Sequence, residues 1–418
     1  MKELRLSPYY DPEQISSSHL DEDLQRAYAA VGITTEIFCP TPTRGITPEV
    51  REQYKKIKYE EKLDGKVIVH RFSMFREGRN PIMRALRYVL VNLIQYFKGA
   101  WAEDIDVVYG ASTPPTQGVL CALVAKRLSK KHGKKVPFIF NLQDVFPDSL
   151  VTADLTRKDS LLYKIGDKIS NYTYRNADAI IVISQDIKRN IMKKGVPEEK
   201  IHLIYNWIDT AAVQPVAPED NRLYEELGLS RDTFKVVYAG NLGKMQGIDT
   251  VLAAAKILQE NSNIEFVIFG KGAEEDALKK QVAEENLSNV KFFPLFPAER
   301  VPEVYSLGDA CVVCCKAGTG GGGVPSKTWT IMACGRPLLV SFDAESELCH
   351  TVENAKAGLC SDAGDGEALA QRVLQLYGDP QEKIVLGQNA RNYAVAYAGK
   401  ESATQKYIQL IYKTVEEA

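Results

Sequence analysis

The chain has 418 residues, 45% of them hydrophobic and 25% charged, a composition that excludes a disordered or fibrous protein. At roughly 100–200 residues per domain, its length predicts two or three domains. Lys and Arg number 52 against 54 Asp and Glu, and a net charge of −2 argues against a dedicated nucleic-acid binder.

Short β-branched and aromatic runs alternate with helical patterns. The first half predicts strands at 3–7, 35–39, 66–72, 106–111, 137–142, 179–184 and 202–206. The second half predicts them at 235–240, 265–270, 290–294, 310–315 and 337–342, with helices such as 249–260 and 275–286 between. Continuous apolar strands separated by helices mean parallel sheets covered on both faces. That many strands exceed one open sheet, so two doubly wound α/β domains are expected, facing a cleft at the carboxyl ends of their strands. The break should follow Asn206-Trp207-Ile208-Asp209, where a Pro-containing, strand-free connector runs to about residue 232.

No uninterrupted run of about 18 apolar residues occurs, and MKELRLSPYYDPEQ turns polar too early for a signal peptide, so a cytoplasmic protein is expected. Eight cysteines fit that compartment. Cys311, Cys314 and Cys315 in ACVVCC read as reduced thiols of a buried strand, because no second pair or nearby histidine completes a zinc site. Residues 81–101 place Met83, Leu86, Leu90, Leu93 and Phe97 on one stripe, with Arg84, Arg87 and Lys98 beside it. Two readings stand: a core helix of the first domain, or a basic amphipathic helix making peripheral contact with a membrane.

Three strand–glycine loop–helix turns mark the second half: YAGNLGKMQGID, FGKGAEED and KAGTGGGGVPSKT. Glycine lets backbone approach a ligand, and a helix starting there aims free N–H groups at an anion. Pro325 suits a helix start, Ser326 could cap it, and Lys327 adds a full positive charge. None of the three is a dinucleotide fingerprint or a Walker A loop.

These runs, with NVKFFPLFPAERVPEVYSLGDACVV and PSKTWTIMACGRPLLVSFDAESEL, resemble the donor-binding half of family-four glycosyltransferases, retaining enzymes of the two-domain GT-B fold. Upstream, DVVYGASTPPTQGVLCALVAKRLS, PFIFNLQDVFPDSL and NADAIIVISQDIKRN resemble their acceptor-binding half. The chain is most similar to bacterial transferases of O-antigen, capsule and colanic-acid assembly, such as fucosaminyl transferases. It departs from the family pattern where many relatives carry two glutamates, here Gly322 and Thr330, and where many hold diphosphate with Arg and Lys, here Asn241 and Gln246.

The resemblance implies an acceptor domain over 1–210, a donor domain over 232–394, and final helices within about 395–418 crossing back. It implies transfer of a hexose, N-acetylated by the nearest similarity, from a UDP-sugar to a glycan or polyprenyl-diphosphate acceptor, without cofactor or metal. Lys327, with Lys244 nearby and the amides of residues 323–327 (Gly323, Val324, Pro325, Ser326, Lys327), is expected to hold the diphosphate. Gly240, Asn241, Leu242, Gly243, Gln246 and Gly270 would cradle its other side. Phe296 would pack the base, and Glu345 or Glu347 would replace the ribose contact. Asp144, Gln143 and His19 are the acceptor-side candidates, Asp144 for contact, catalysis or a plain turn role. Asp104-Ile105-Asp106 precedes a strand rather than following one, which suits a solvated strand entrance and not a metal site. A UDP-sugar 2-epimerase of the same fold and a catalytically silent nucleotide-binding subunit are the alternatives.

Overall fold

The computed structural model describes residues 1–13, 18–78, 80–152 and 155–418. They divide into two compact units, residues 1–205 with 404–418, and residues 206–403.

The first unit is built on an eight-stranded sheet of order β3-β4-β2-β1-β5-β6-β7-β8. Its strands are β1 (Lys2–Leu6), β2 (Thr34–Pro40), β3 (Tyr59–Lys62), β4 (Val67–Phe72), β5 (Val107–Ala111), β6 (Phe138–Leu142), β7 (Ala179–Val182) and β8 (Ile201–Leu203). All neighbours run parallel except β3, which lies antiparallel on β4. Leu4, Val108, Phe138 and Ile180 from adjacent strands share one core cluster with Val124 and Leu128 of the Gln117–His132 helix. Burial on both faces is why these strands read as unbroken apolar runs.

The second unit carries a six-stranded, fully parallel sheet of order β11-β10-β9-β12-β13-β14. The strands are β9 (Phe234–Asn241), β10 (Ile264–Lys271), β11 (Val290–Phe293), β12 (Ala310–Cys314), β13 (Leu338–Phe342) and β14 (Gly358–Asp362). From β9 the chain winds outward through β10 to β11, then returns to the other side of β9 with β12. The strand order therefore reverses between β9 and β12, the place where open α/β sheets bind ligands.

Each expected strand is present, and two more were not anticipated. β3, with sequence YEEK, is a polar edge strand without an apolar face to signal it. β14, with sequence GLCSD, opens on Gly358, where a Cβ would press into Leu338 backbone of β13. The connector after Asp209 contains one short helix, Leu223–Glu226, and no strand. The cysteines are free, all buried but the half-buried Cys360. Asp106 sits at the amino end of β5, accepting from the Lys2 amide at 2.9 Å and pairing with Lys134 at 3.0 Å.

The Pro81–Gly99 helix departs from the core-helix reading. Asn80 caps it, its side chain accepting from the amides of Ile82 and Met83. Of the predicted stripe, Leu90 is half-buried, whereas Met83, Leu86, Leu93 and Phe97 are exposed, and the buried line is Arg87, Val91 and Gln95. No helix among the described residues is long and apolar enough to cross a membrane.

Candidate functional site

At the switch point of the second sheet, the loops following β9 and β12 gather around one half-buried cation. Lys327 is the second residue of the Ser326–Ala333 helix. Its Nζ donates to Tyr238 Oη at 2.9 Å and reaches Gln246 Oε1 at 3.4 Å, and it lies 4.1 Å from the centre of the Tyr238 ring. Tyr238 in turn donates to the Asn241 carbonyl at 2.7 Å, which fixes its hydroxyl oxygen as an acceptor toward the lysine. Burial pushes the ammonium down to about 8, and no carboxylate among the described residues pairs with it. A half-buried cation held only by neutral oxygens and a ring face is poised for an anion.

Backbone geometry makes room for this lysine. Gly240 has φ +149, and a Cβ there would lie 2.9 Å from Lys327 Nζ. Gly240 is the register partner of Gly270 on β10, so both glycines sit at the carboxyl edge side by side. Gly247 has φ +62, and a Cβ would stand 2.5 Å from the Cys315 carbonyl at the end of β12. The Leu242 amide donates to the Lys271 carbonyl at 3.0 Å, and the Lys316 amide to Met245 at 3.0 Å. The loops are thus knit to one another through backbone.

Sequence reasoning missed two residues here. Tyr238 lies inside an apolar strand, where an aromatic reads as core. Asp343, just past β13, accepts from the amides of Gly318 at 2.8 Å and Gly320 at 2.7 Å, holding the glycine loop by both carboxylate oxygens. Those two amides are therefore engaged inside the protein. An acidic residue immediately after a buried strand was the available signal.

The expected cradle needs correction in detail. Pro325 has no N–H and occupies the cap position, and Ser326 makes no capping hydrogen bond. That leaves the first-turn N–H groups without a side-chain cap. Gln246 and Lys327 come together, whereas exposed Asn241 joins them only through its backbone carbonyl, which Tyr238 bonds; Leu242 is buried beneath, and Gly243 opens the short turn that carries exposed Lys244. Gly323 and Val324 precede the helix, half-buried Thr330 lies a turn inside it, and Gly322 closes the turn before it. Phe296, half-buried past β11, meets Phe269 edge-on at 5.9 Å and is covered on one side by the Arg300 guanidinium at 4.9 Å. Glu347 is buried in the first turn of the Glu347–Ala355 helix beside Tyr393, so it has little surface to offer a ribose. Glu345 is exposed in the preceding turn.

In the first unit, Gln143 follows β6, its amide donating to Ser112 Oγ at 3.1 Å and its side chain to Asn141 Oδ1 at 2.9 Å. Asp144 is exposed next to it. His19 stands apart, in the helix after β1, lining a cavity of about 410 Å³ with Tyr9, Tyr10, Glu13, Asp21 and Lys62. Among the described residues no three His, Cys, Asp or Glu side chains converge as a metal-binding group.

Residues 22–212 match the family model described as Glycosyltransferase Family 4, and residues 220–393 match Glycosyl transferases group 1. The chain is a glycosyltransferase. A protein of Escherichia coli (strain K12) named colanic acid biosynthesis glycosyl transferase WcaI is 28% identical over 98% of this chain and 99% of its own. Among solved structures, sucrose-phosphate synthase from Thermosynechococcus elongatus superposes with a TM-score of 0.74 at 19% identity, covering 100% of both chains. Anabaena Alr3699/HepE in complex with UDP follows at 0.70 and 17%, covering 99% of this chain and 100% of its own. The glycosyltransferase has the GT-B fold of these neighbours.

Proposed function

We propose that this glycosyltransferase moves a hexose, N-acetylated in the reading that its likeness to fucosaminyl transferases favours, from a UDP-sugar to a polyprenyl-diphosphate-linked glycan during bacterial surface polysaccharide assembly. The observation that carries the donor half is the half-buried Lys327, held without a carboxylate between the β9 and β12 loops. The HepE neighbour holds UDP, and the WcaI relative is named for colanic acid synthesis, which supports donor and pathway class.

Breaking the bond between anomeric carbon and phosphate oxygen leaves new charge on the diphosphate. Lys327 Nζ and the first-turn amides of its helix offer that charge a fixed, partly dehydrated partner. Retention follows if the acceptor hydroxyl attacks on the face from which the diphosphate departs. The hydroxyl proton then passes to a leaving phosphate oxygen, and no carboxylate base is needed. Asp144, exposed past β6, serves to orient the acceptor.

Calorimetry with UDP, GDP and NAD, with and without Mg²⁺, tests the donor assignment. UDP should bind without metal, and Lys327→Ala should weaken it. Binding of GDP or NAD in place of UDP would refute the assignment. NMR of the product anomer decides between retention and inversion.

A further inference from the structure

A second cationic site lies in the first unit, at the carboxyl ends of β1, β2 and β4. Glu77, in the loop after β4, is the hub. Arg44, past β2, donates to it through Nε at 3.0 Å and Nη2 at 2.7 Å. Arg84 Nε is 3.0 Å from it and Arg87 Nη1 is 3.9 Å away, both on the Pro81–Gly99 helix. Tyr9, past β1, donates to Glu77 at 2.8 Å, and its hydroxyl is also 2.8 Å from that of Tyr88. One carboxylate thus faces three guanidinium groups, and no other carboxylate among the described residues lies within 4 Å of any of them.

Arg51 and Arg76 lie beside these groups, with the carboxylates of Glu52 and Glu13 acting on Arg51 with the opposite sign. Arg51 spends its donors on backbone carbonyls of Thr41, Pro42 and Met74. Burial, then the charges of Arg87 and Arg76, hold its guanidinium below the ordinary arginine range. Arg87 is fully buried, yet among the described residues its Nη1 and Nη2 have no hydrogen-bond partner. Buried donors left unmade are rare and costly, and a guanidinium fork is matched in geometry by a phosphate oxygen pair.

The same helix says what the anion is attached to. Arg87, Val91 and Gln95 form its buried line, while Ile82 (77% exposed), Leu86 (46%), Val89 (53%), Leu93 (51%) and Phe97 (63%) form a continuous outward stripe, with Trp101 (62%) just beyond. The usual polarity of a surface helix is inverted: arginine inward, hydrocarbon outward. An arginine nest backed by such a stripe complements an anionic head on a long apolar chain better than a soluble phosphate, which would leave the stripe unused.

We propose that Arg44, Arg84 and Arg87 bind the diphosphate of a polyprenyl-diphosphate acceptor, and that the Ile82–Phe97 stripe lies in the bilayer that holds its chain. This rests on the lipid-linked acceptor proposed above and adds the residues that recognise it.

Vesicle co-sedimentation in saturating UDP tests it. Phosphatidylcholine vesicles carrying a polyprenyl diphosphate are compared with vesicles of equal charge made with phosphatidylglycerol. The wild type should prefer the diphosphate vesicles. Arg44→Ala/Arg84→Ala, both at partly exposed sites, should lose roughly tenfold or more of that preference while binding UDP as before. Leu93→Ser/Phe97→Ser should release the protein from both vesicles without lowering its affinity for inorganic diphosphate. Equal binding to the two vesicle types, wild-type behaviour of the arginine variant, or no vesicle binding at all would each overturn the proposal. Since UDP binding is read in the same samples, loss of vesicle binding with UDP intact refutes this site alone. A wild type that takes no UDP refutes the donor reading instead.

Discussion

At the scale of single residues, Lys327 is the group whose chemistry is most exposed to test. Its place at a helix start beyond a glycine loop was legible from PSK. Its setting was not legible: Tyr238, Gln246 and Gly240 come from a different strand and loop and meet it only through the sheet. With its pKa at about 8 in the free protein, the lysine is charged below that value and neutral above it. A bound diphosphate favours the charged form, so binding takes up a proton and UDP affinity should fall as pH rises through 8 and beyond. For folding, the sign is opposite. The unfolded lysine, near 10.4, holds its proton to higher pH than the folded one, so folding stability attributable to this group rises between about pH 8 and 10. Lys327→Met should therefore remove the pH dependence of UDP binding and weaken it about 10- to 150-fold, the loss of one bond to a charged group, without lowering the melting temperature at pH 7. Calorimetric titration from pH 6.5 to 9.5 reads both effects. Gly240→Ala should mimic the loss from the other side, because its Cβ would occupy space 2.9 Å from Nζ.

At the scale of elements, hydrophobic pattern located strands well where both faces are buried, as in β9, β10 and β12. It failed for the polar edge strand β3, whose pairing is made by β4 and not by its own sequence. It also left the Pro81–Gly99 helix ambiguous, since an apolar stripe has the same period whether it faces a core or solvent. The glycine loop after β12 shows how one distant element sets another. Its hold is the Asp343 carboxylate, which receives two amides from Gly318 and Gly320. Asp343→Asn keeps the size but turns one acceptor into an NH₂ donor facing an N–H. One of the two bonds is lost and a donor pair is left opposed, a cost of roughly 1–3 kcal/mol. The loop leads directly into the lysine helix, so UDP affinity should fall while the rest of the unit keeps its stability. Limited proteolysis should show new cleavage within 316–324, and unchanged resistance there would remove the clasp from the account.

At the scale of the whole molecule, the chain does not finish where its second unit does. Residues 404–418, which include most of the Lys400–Glu416 helix, cluster with the first unit, and the helix buries Tyr407, Ile408, Leu410 and Ile411. Tyr407 is fully enclosed, its phenol pushed well up by burial and by the neighbouring Tyr109 and Tyr28. Before leaving the second unit, the chain is pinned by Arg391, whose guanidinium donates to the carbonyls of Thr210, Val213 and Ala333. The connector after residue 209 is thereby held to its own unit. A periodic apolar helix at 400–416 is evident in the sequence, but a helix does not record which unit will bury it; the return was implied by resemblance, not by pattern. The consequence is that the first unit, although formed almost entirely from the first 205 residues, needs the last fifteen to complete its core. Ile411, 1% exposed, gives the clean test. Ile411→Ala should cost about 2–5 kcal/mol through lost burial and a cavity, lowering the melting transition of the first unit by about 5–15 °C. The Lys327 site lies in the other unit, so UDP binding at 20 °C should be unaffected. If calorimetry instead shows both properties falling together, or neither, the last helix does not belong to the first unit's cooperative core.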